Sequence, residues 1–220
     1  MTLTSYVYRE TVAASAEAPL FLTFHGTGGD ENQFHGFAKE LWPGAGVLSP
    51  RGDVSENGAL RYFRRVAEGS YDMADLETRT AKMAGFIAAH KKRLAPQRVI
   101  GLGYSNGSNI LAAMAFQHAG LFDDIVLMHP LIPWQPADNS ELSNVCVLIT
   151  AGRQDPICPA PLTVALNDYF VRQGAKTTLA WHAGGHELRS SEQAAVAAFL
   201  QPAMQTEVAA ASLGVHSAGR

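Results

Sequence analysis

The sequence predicts an α/β fold, a mostly parallel twisted sheet of about seven strands flanked by helices. Two observations carry this. Short apolar runs alternate with helical patterns along nearly the whole chain, the order that yields parallel strands joined by crossover helices. Several runs are continuous Val, Ile and Leu, which is how a strand covered on both faces reads. The length adds a bound: 220 residues bury on the order of 70% of the unfolded surface, so the core needs neither disulfide nor metal.

In chain order, residues 6–11 alternate and read as an antiparallel edge strand. Residues 19–24, 46–48, 98–102, 124–128, 145–150 and 177–181 read as further strands. Between them lie helical patterns at 32–41, 73–94, 106–118, 161–173 and 191–200. The long second helix opens on Asp72 and Asp75 and closes on His90, Lys91, Lys92 and Arg93, charges that suit both ends of the helix dipole. Met73, Leu76, Thr80, Met83, Ala84 and Ile87 give it a buried face. Ser190 followed by Gln193 forms a capping-box pattern ahead of the last helix. Residues 53–71 and 130–143 read as loops. No repeat or linker divides the chain, so one domain is expected over 1–202, followed by an Ala/Ser/Gly-rich tail, 203–220, frayed at its end, with 207–213 able to extend a helix.

Composition narrows the function. Lys+Arg 17 minus Asp+Glu 20 leaves −3, against the basic surface that nucleic acid or anionic lipid requires. No apolar stretch is long enough to span a membrane, and no signal-peptide pattern opens the chain. A cytoplasmic protein acting on a small molecule is expected, as monomer or homodimer. Two cysteines make no disulfide framework: Cys146 lies in a strand, and Cys158 in a loop.

The chemistry centres on Gly103-Tyr104-Ser105-Asn106-Gly107, a G-x-S-x-G nucleophile elbow in its required context of strand, tight turn and helix. The turn strains the serine backbone so that the hydroxyl projects above the sheet edge, and a Cβ at either flanking glycine would clash. A capped glycine turn is the plainer reading. Gly101, Gly103 and Gly107 also approximate a dinucleotide fingerprint, but the next strand ends without the acidic residue that the ribose needs.

A serine nucleophile needs a base and an orienting acid, in the chain order Ser, Asp, His for this elbow. Asp155 follows the 145–150 strand and His186 follows the 177–181 strand. All three therefore lie at carboxyl ends of strands, where open parallel sheets build sites. Alone, Asp155 also reads as an Asp-Pro turn and His186 as a surface histidine. His129 precedes Asp155 in the chain, and His182 reads as structural or pocket-lining. His35, His90, His118 and His216 fall on helical or terminal segments, and no metal-ligand spacing is seen. The oxyanion donors are assigned to the backbone amides of Asn106 and of Thr27, in the glycine-rich loop 25–31.

Together with these, His25-Gly-Thr-Gly-Gly-Asp-Glu, Ser49-Pro-Arg-Gly, Arg61-Tyr-Phe-Arg-Arg, Gly152-Arg-Gln-Asp-Pro-Ile and Gly184-Gly-His-Glu-Leu resemble the phospholipase/carboxylesterase family of α/β hydrolases, over about residues 5–200. The resemblance implies an α/β-hydrolase fold, a Ser105–Asp155–His186 triad, a Thr27/Asn106 oxyanion hole and no cofactor. The implied activity is a serine carboxylesterase for short- to medium-chain esters; thioesterase or lysophospholipase activity on the same triad is the alternative. One departure is Cys158, where the family often has an apolar residue: a small hydrophobe beside the site, and a potential target of thiol reagents. Phe63, Tyr71 and Met73 are candidates for a flap over the acyl pocket, with Leu131, Ile132 and Trp134 opposite; each fits the core equally well. Arg64 and Arg65 are expected to anchor the 53–71 loop through carboxylates. The motifs span His25 to His186 in one sheet, leaving no chain for a separate cap domain.

Overall fold

The computed structural model describes the backbone of residues 2–215 and the side chains of residues 2–205. In chain order the elements are β1 (Tyr8–Thr11), β2 (Leu20–Phe24), α1 (His35–Leu41), β3 (Gly46–Pro50), the hairpin β4 (Val54–Glu56) with β5 (Ala59–Arg61), and the hairpin β6 (Arg65–Ala67) with β7 (Ser70–Tyr71). Then come α2 (Met73–Leu94), β8 (Val99–Tyr104), α3 (Asn106–Gln117), β9 (Asp124–Met128), β10 (Cys146–Gly152), α4 (Ala160–Arg172), β11 (Lys176–His182) and α5 (Ser190–Val215). The main sheet has seven strands in the order β1-β3-β2-β8-β9-β10-β11. β1 runs antiparallel to β3; the other neighbours are parallel. The antiparallel edge and the parallel α/β sheet are as the sequence predicts.

Side-chain alternation along the strands divides the core. Phe21, Val47, Ile100, Leu102, Val126 and Leu148 share one cluster with Phe34 and Ala38 at α1 and Val196 and Leu200 of α5. Leu22, Leu48, Ile125, Val147 and Ile149 share the other with Leu76, Met83 and Ile87 of α2, the apolar α3, and Leu166 and Phe170 of α4. Each large side chain buried in this way contributes about 1.5–3 kcal/mol. α2 forms for the predicted reasons: the Asp72 carboxylate accepts the Asp75 amide, and Lys91, Lys92 and Arg93 close the last turn. Met73 is the exception on its expected buried face, 48% exposed in the first turn.

Besides shifts of one or two residues at several strand and helix ends, three elements differ from expectation. The 53–71 segment forms two hairpins. The first turns on Asn57 and Gly58, both at positive φ, the Asn-Gly signature of a tight hairpin turn; the strands are too short to show a periodicity. α1 begins at His35 rather than at 32. α5 begins at Ser190 and runs on through Pro202 to Val215, crossing the expected boundary at 202. A proline suggests a stop because it lacks an N–H, yet here the backbone stays helical past it. The side chains of 207–213 and the whole of 216–220, His216 included, lie outside the described residues.

The register places Tyr104 level with Met128, and Met128 level with Thr150. The pairing continues one step further: the Ser105 amide donates to the Met128 carbonyl and the His129 amide to the Thr150 carbonyl, each at 2.9 Å. β2 and β8 are the strands between which the chain order reverses. Such a switch point leaves a crevice beyond the carboxyl ends of the strands, and the loops after β2, β8, β9, β10 and β11 all open onto that edge.

Candidate active site

Ser105 sits between β8 and α3 with φ of 51°, a left-handed conformation that costs a non-glycine residue on the order of 1 kcal/mol or more. Its flanking glycines are required by space. A Cβ at Gly103 would lie 2.7 Å from the Gly107 and Ser108 backbone. A Cβ at Gly107 would lie 2.3 Å from the Phe24 carbonyl and 2.4 Å from that of His25. Gly107 is thus pressed against the end of β2, not against Gly103 alone, and this close approach brings the 25–31 loop beside Ser105.

The Ser105 hydroxyl lies 2.9 Å from His186 Nε2. His186 Nδ1 lies 2.8 Å from Asp155 Oδ2. Asp155 is closed off: its Oδ1 accepts the Ile157 and Cys158 amides at 2.8 and 2.9 Å, and its Oδ2 also meets His129 Nδ1 at 2.8 Å. Burial acts to raise its pKa, but the Cys158 amide, His129, His186 and the Ile157 amide together hold it below the ordinary carboxylate value. Asp155 is therefore a carboxylate, and both facing ring nitrogens donate to it. That leaves His186 Nε2 free to accept the serine proton. Tyr104 steadies the ring from the side: its hydroxyl donates to the His186 carbonyl at 2.7 Å, and the rings lie 5.5 Å apart.

Thr27 and Asn106 line the same cavity as Ser105, of about 270 Å³. Among the described residues neither backbone amide meets an acceptor. The Thr27 loop is held by the second layer of the site. Arg61 Nη1 donates to Thr27 Oγ1 at 2.9 Å, and the Gly28 amide donates to the Leu60 carbonyl at 2.9 Å. The Tyr62 amide donates to Asn106 Oδ1 at 2.8 Å. His25 Nε2 accepts the Gly52 amide at 2.9 Å, which ties the 25–31 loop to the segment that leaves β3.

A model of the dienelactone hydrolase family matches residues 64–211. The chain belongs to the dienelactone hydrolase family. The matched span contains Ser105, Asp155 and His186; the 25–31 loop and Arg61 precede it. The putative hydrolase MhqD of Bacillus subtilis is 36% identical over 175 residues, 79% of this chain and 88% of that protein. The structure of Atu2452 from Agrobacterium tumefaciens, of unknown function, superposes with a TM-score of 0.86 at 52% identity, covering 92% of this chain and 98% of that one. The Bacillus cereus carboxylesterase superposes at 0.85 with 33% identity over 91% and 95% of the two chains. The chain is accordingly a hydrolase of the dienelactone hydrolase and carboxylesterase type, with the α/β-hydrolase fold that its motifs resemble.

In this family member the pocket candidates separate. Tyr71, Leu131 and Cys158 line the Ser105 cavity. Phe63, Met73, Ile132 and Trp134 do not. Phe63 is fully buried beneath Tyr71, with ring centroids 4.8 Å apart. Met73 and Trp134 border a separate groove beside α2 and α3, and Ile132 is a core residue. Of the aromatic candidates Tyr71 alone borders the cavity, together with Tyr104. Cys158 is 1% exposed, its thiol donates to the His129 carbonyl at 3.2 Å, and burial followed by the Asp155 charge pushes its pKa up. A thiol held in this way is a poor target for thiol reagents. Arg65 pairs with Glu56 at 2.9 Å and with Glu68, and Arg64 reaches Asp75 at 3.8 Å, so both anchor the hairpins as expected.

Four residues around the site receive no role from the sequence: Asn109 and Glu192 carry no signal, Arg61 stands only within a motif, and His129 is set aside for its place in the chain. Asn109 Nδ2 donates to the Tyr71 hydroxyl and its Oδ1 accepts the Leu131 amide, at 2.8 and 2.7 Å, joining the two walls of the cavity. Glu192 was concealed by the Ser190/Gln193 pattern. The observed box is one residue earlier: Glu192 Oε2 accepts the Arg189 amide at 2.9 Å. The end of β9 carries His129 and no carboxylate, as the argument against a dinucleotide site requires.

Two groups have ligand atoms close enough to surround a metal: His129, Asp155 and His186, and His129, His182 and Glu192. Neither has the lone pairs. In the first, both ring nitrogens facing Asp155 carry hydrogen. In the second, His182 Nδ1 accepts the Gly184 amide at 3.0 Å, so the ring hydrogen sits on Nε2, the atom that would face the ion.

Proposed function

We propose that this hydrolase is a serine carboxylesterase acting on short- to medium-chain carboxylic esters through an acyl-enzyme. The observation that carries the reading is the unbroken line from Ser105 Oγ to His186 Nε2 to Asp155 Oδ2, at 2.9 and 2.8 Å, ending on a strained serine at the mouth of a small cavity. In this mechanism His186 takes the Ser105 proton as the hydroxyl attacks the ester carbonyl. Asp155 holds the ring in the required tautomer and stabilises the imidazolium. The Thr27 and Asn106 amides receive the oxyanion; one such donor is worth about 3–4 kcal/mol of barrier. His186 then protonates the leaving alcohol and activates the water that releases the acid. The chemistry calls on no cofactor.

The size and lining of the cavity support small esters. About 270 Å³ holds a modest acyl group, and Tyr71, Leu131 and Ile157 supply apolar wall beside the polar rim of Arg61, Arg65 and Glu68. The test is a panel of p-nitrophenyl esters of increasing chain length, with acyl thioesters and lysophospholipids alongside, run on the wild type and on Ser105→Ala. The reading expects hydrolysis greatest on the short to medium esters and lost by at least ~1000-fold in Ser105→Ala. Full activity in Ser105→Ala removes the mechanism; a preference for thioesters or lysolipids changes the substrate class and leaves the triad intact.

A further inference from the structure

Behind Asp155 lies a second row of buried ionisable groups that the proposed mechanism does not use. His129 stands at the end of β9, wholly buried. Its Nδ1 meets Asp155 Oδ2 at 2.8 Å and its Nε2 meets Glu192 Oε1 at 3.1 Å. Glu192 also accepts the Thr150 hydroxyl at 2.6 Å and the Arg189 amide at 2.9 Å. His182 Nε2 faces Glu192 Oε2 at 3.3 Å.

The hydrogen inventory of this row favours one state. Asp155 accepts four hydrogen bonds and is a carboxylate, so His129 Nδ1 carries hydrogen. A neutral His129 would then aim the Nε2 lone pair at a carboxylate oxygen 3.1 Å away; the one donor beside that nitrogen, His182 Nε2 at 3.3 Å, lies as close to Glu192 Oε2, a carboxylate and so the stronger acceptor. With a second hydrogen on Nε2, His129 donates at both ends, between two acids. Burial opposes the charge, but Glu192 and then Asp155 more than offset it, and the ring pKa stands above the ordinary histidine value; Glu192 is held below its own, the His129 hydrogen bond leading the forces that overcome burial. His129 also has a left-handed φ of 51°, a strain that persists only where its surroundings over-determine it.

We propose that His129 is a positioning residue: an imidazolium clamped between Asp155 and Glu192 that fixes the Asp155 carboxylate toward His186 and sets the pH at which the site becomes active. The proposal rests on the triad reading. The groups facing His129 are Asp155 after β10, Glu192 on α5, His182 at the end of β11, His186 in the following loop with ring centroids 5.0 Å away, Tyr104 at the end of β8, and the Cys158 thiol. The one positive charge in this set belongs to His129, and it opposes the charge that His186 acquires when it takes the serine proton.

The test has two arms. In histidine-15N-labelled wild type at neutral pH, long-range 15N–1H spectra read each ring directly; both His129 nitrogens are protonated, whereas His182 carries hydrogen on Nε2 alone. In His129→Gln, the acid limb of kcat/KM on p-nitrophenyl acetate moves to higher pH by about two units, the size expected for losing one charge at this separation. A merely structural histidine lowers activity or stability and leaves the limb in place. A neutral His129 in the wild-type spectra, or a limb unmoved in the variant, overturns the proposal. The spectra need no variant, so they decide the matter even if His129→Gln does not fold. Failure of the triad reading shows separately, as retained hydrolysis in Ser105→Ala.

Discussion

Ser105 stores strain in its backbone, and that strain has a measurable sign. Glycine adopts a φ of 51° freely, so Ser105→Gly gains about 1 kcal/mol in folding stability while losing hydrolysis; a denaturant melt beside an activity assay reads both, and a destabilised variant contradicts the strain. Gly107 has the opposite sensitivity. An added Cβ would fall 2.3 Å from the Phe24 carbonyl, so Gly107→Ala is destabilised by about 3 kcal/mol and loses activity, because the end of β2 must move away from Ser105. At this scale the sequence is legible where one residue type performs one task at a strand end. Ser105, Asp155 and His186 each follow their own strand, and the structure brings their side chains into contact. His129 and Glu192 are illegible because their meaning lies in each other. A histidine that precedes the acid in the chain carries no signal until a helix from the far end of the sequence delivers a carboxylate to it.

The hairpins between β3 and α2 show how elements position the site. β5 ends on Arg61, buried at 4% exposure, which bonds Thr27 and lies 3.2 Å from Glu56. Arg61→Leu frees the 25–31 loop, which carries the proposed Thr27 oxyanion donor, and a small misplacement of such a donor is costly. The expected outcome is a fall in kcat of about 10- to 100-fold with KM little changed, and an unaltered kcat contradicts the positioning role. These hairpins read as a loop in sequence because each strand is two or three residues long, too short for a period; the Asn57-Gly58 pair was the available signal. α5 reads shorter in sequence because the Ala/Ser/Gly-rich composition after residue 202 carries no helical period, although the helix runs on through Pro202.

Over the whole molecule the buried histidines dictate the pH dependence. His25, His35 and His90 are buried, and burial holds each ring pKa below the ordinary 6.5, to about 4 for His35. The unfolded chain therefore binds more protons than the folded one, and stability is lost as pH falls below about 6.5. Asp155 and Glu192, both depressed, add to the loss at lower pH. His129, raised, acts the other way: its contribution is complete below about 6.5 and is lost as pH climbs through its folded value. The melting temperature should fall steadily from about pH 7 to about pH 5, and less steeply in His35→Gln; a flat profile contradicts the buried neutral histidines. The alternating pattern of strands and helices was readable at this scale because parallel α/β sheets announce themselves in every strand.

The claim on which the rest depends is that Ser105 is a nucleophile. Treating the protein with a fluorophosphonate and mapping the adduct by peptide mass spectrometry tests it most directly. The account predicts one adduct per chain, on the peptide containing Ser105, formed with loss of esterase activity and absent from Ser105→Ala. Full activity after complete labelling, or labelling undiminished in Ser105→Ala, would contradict it.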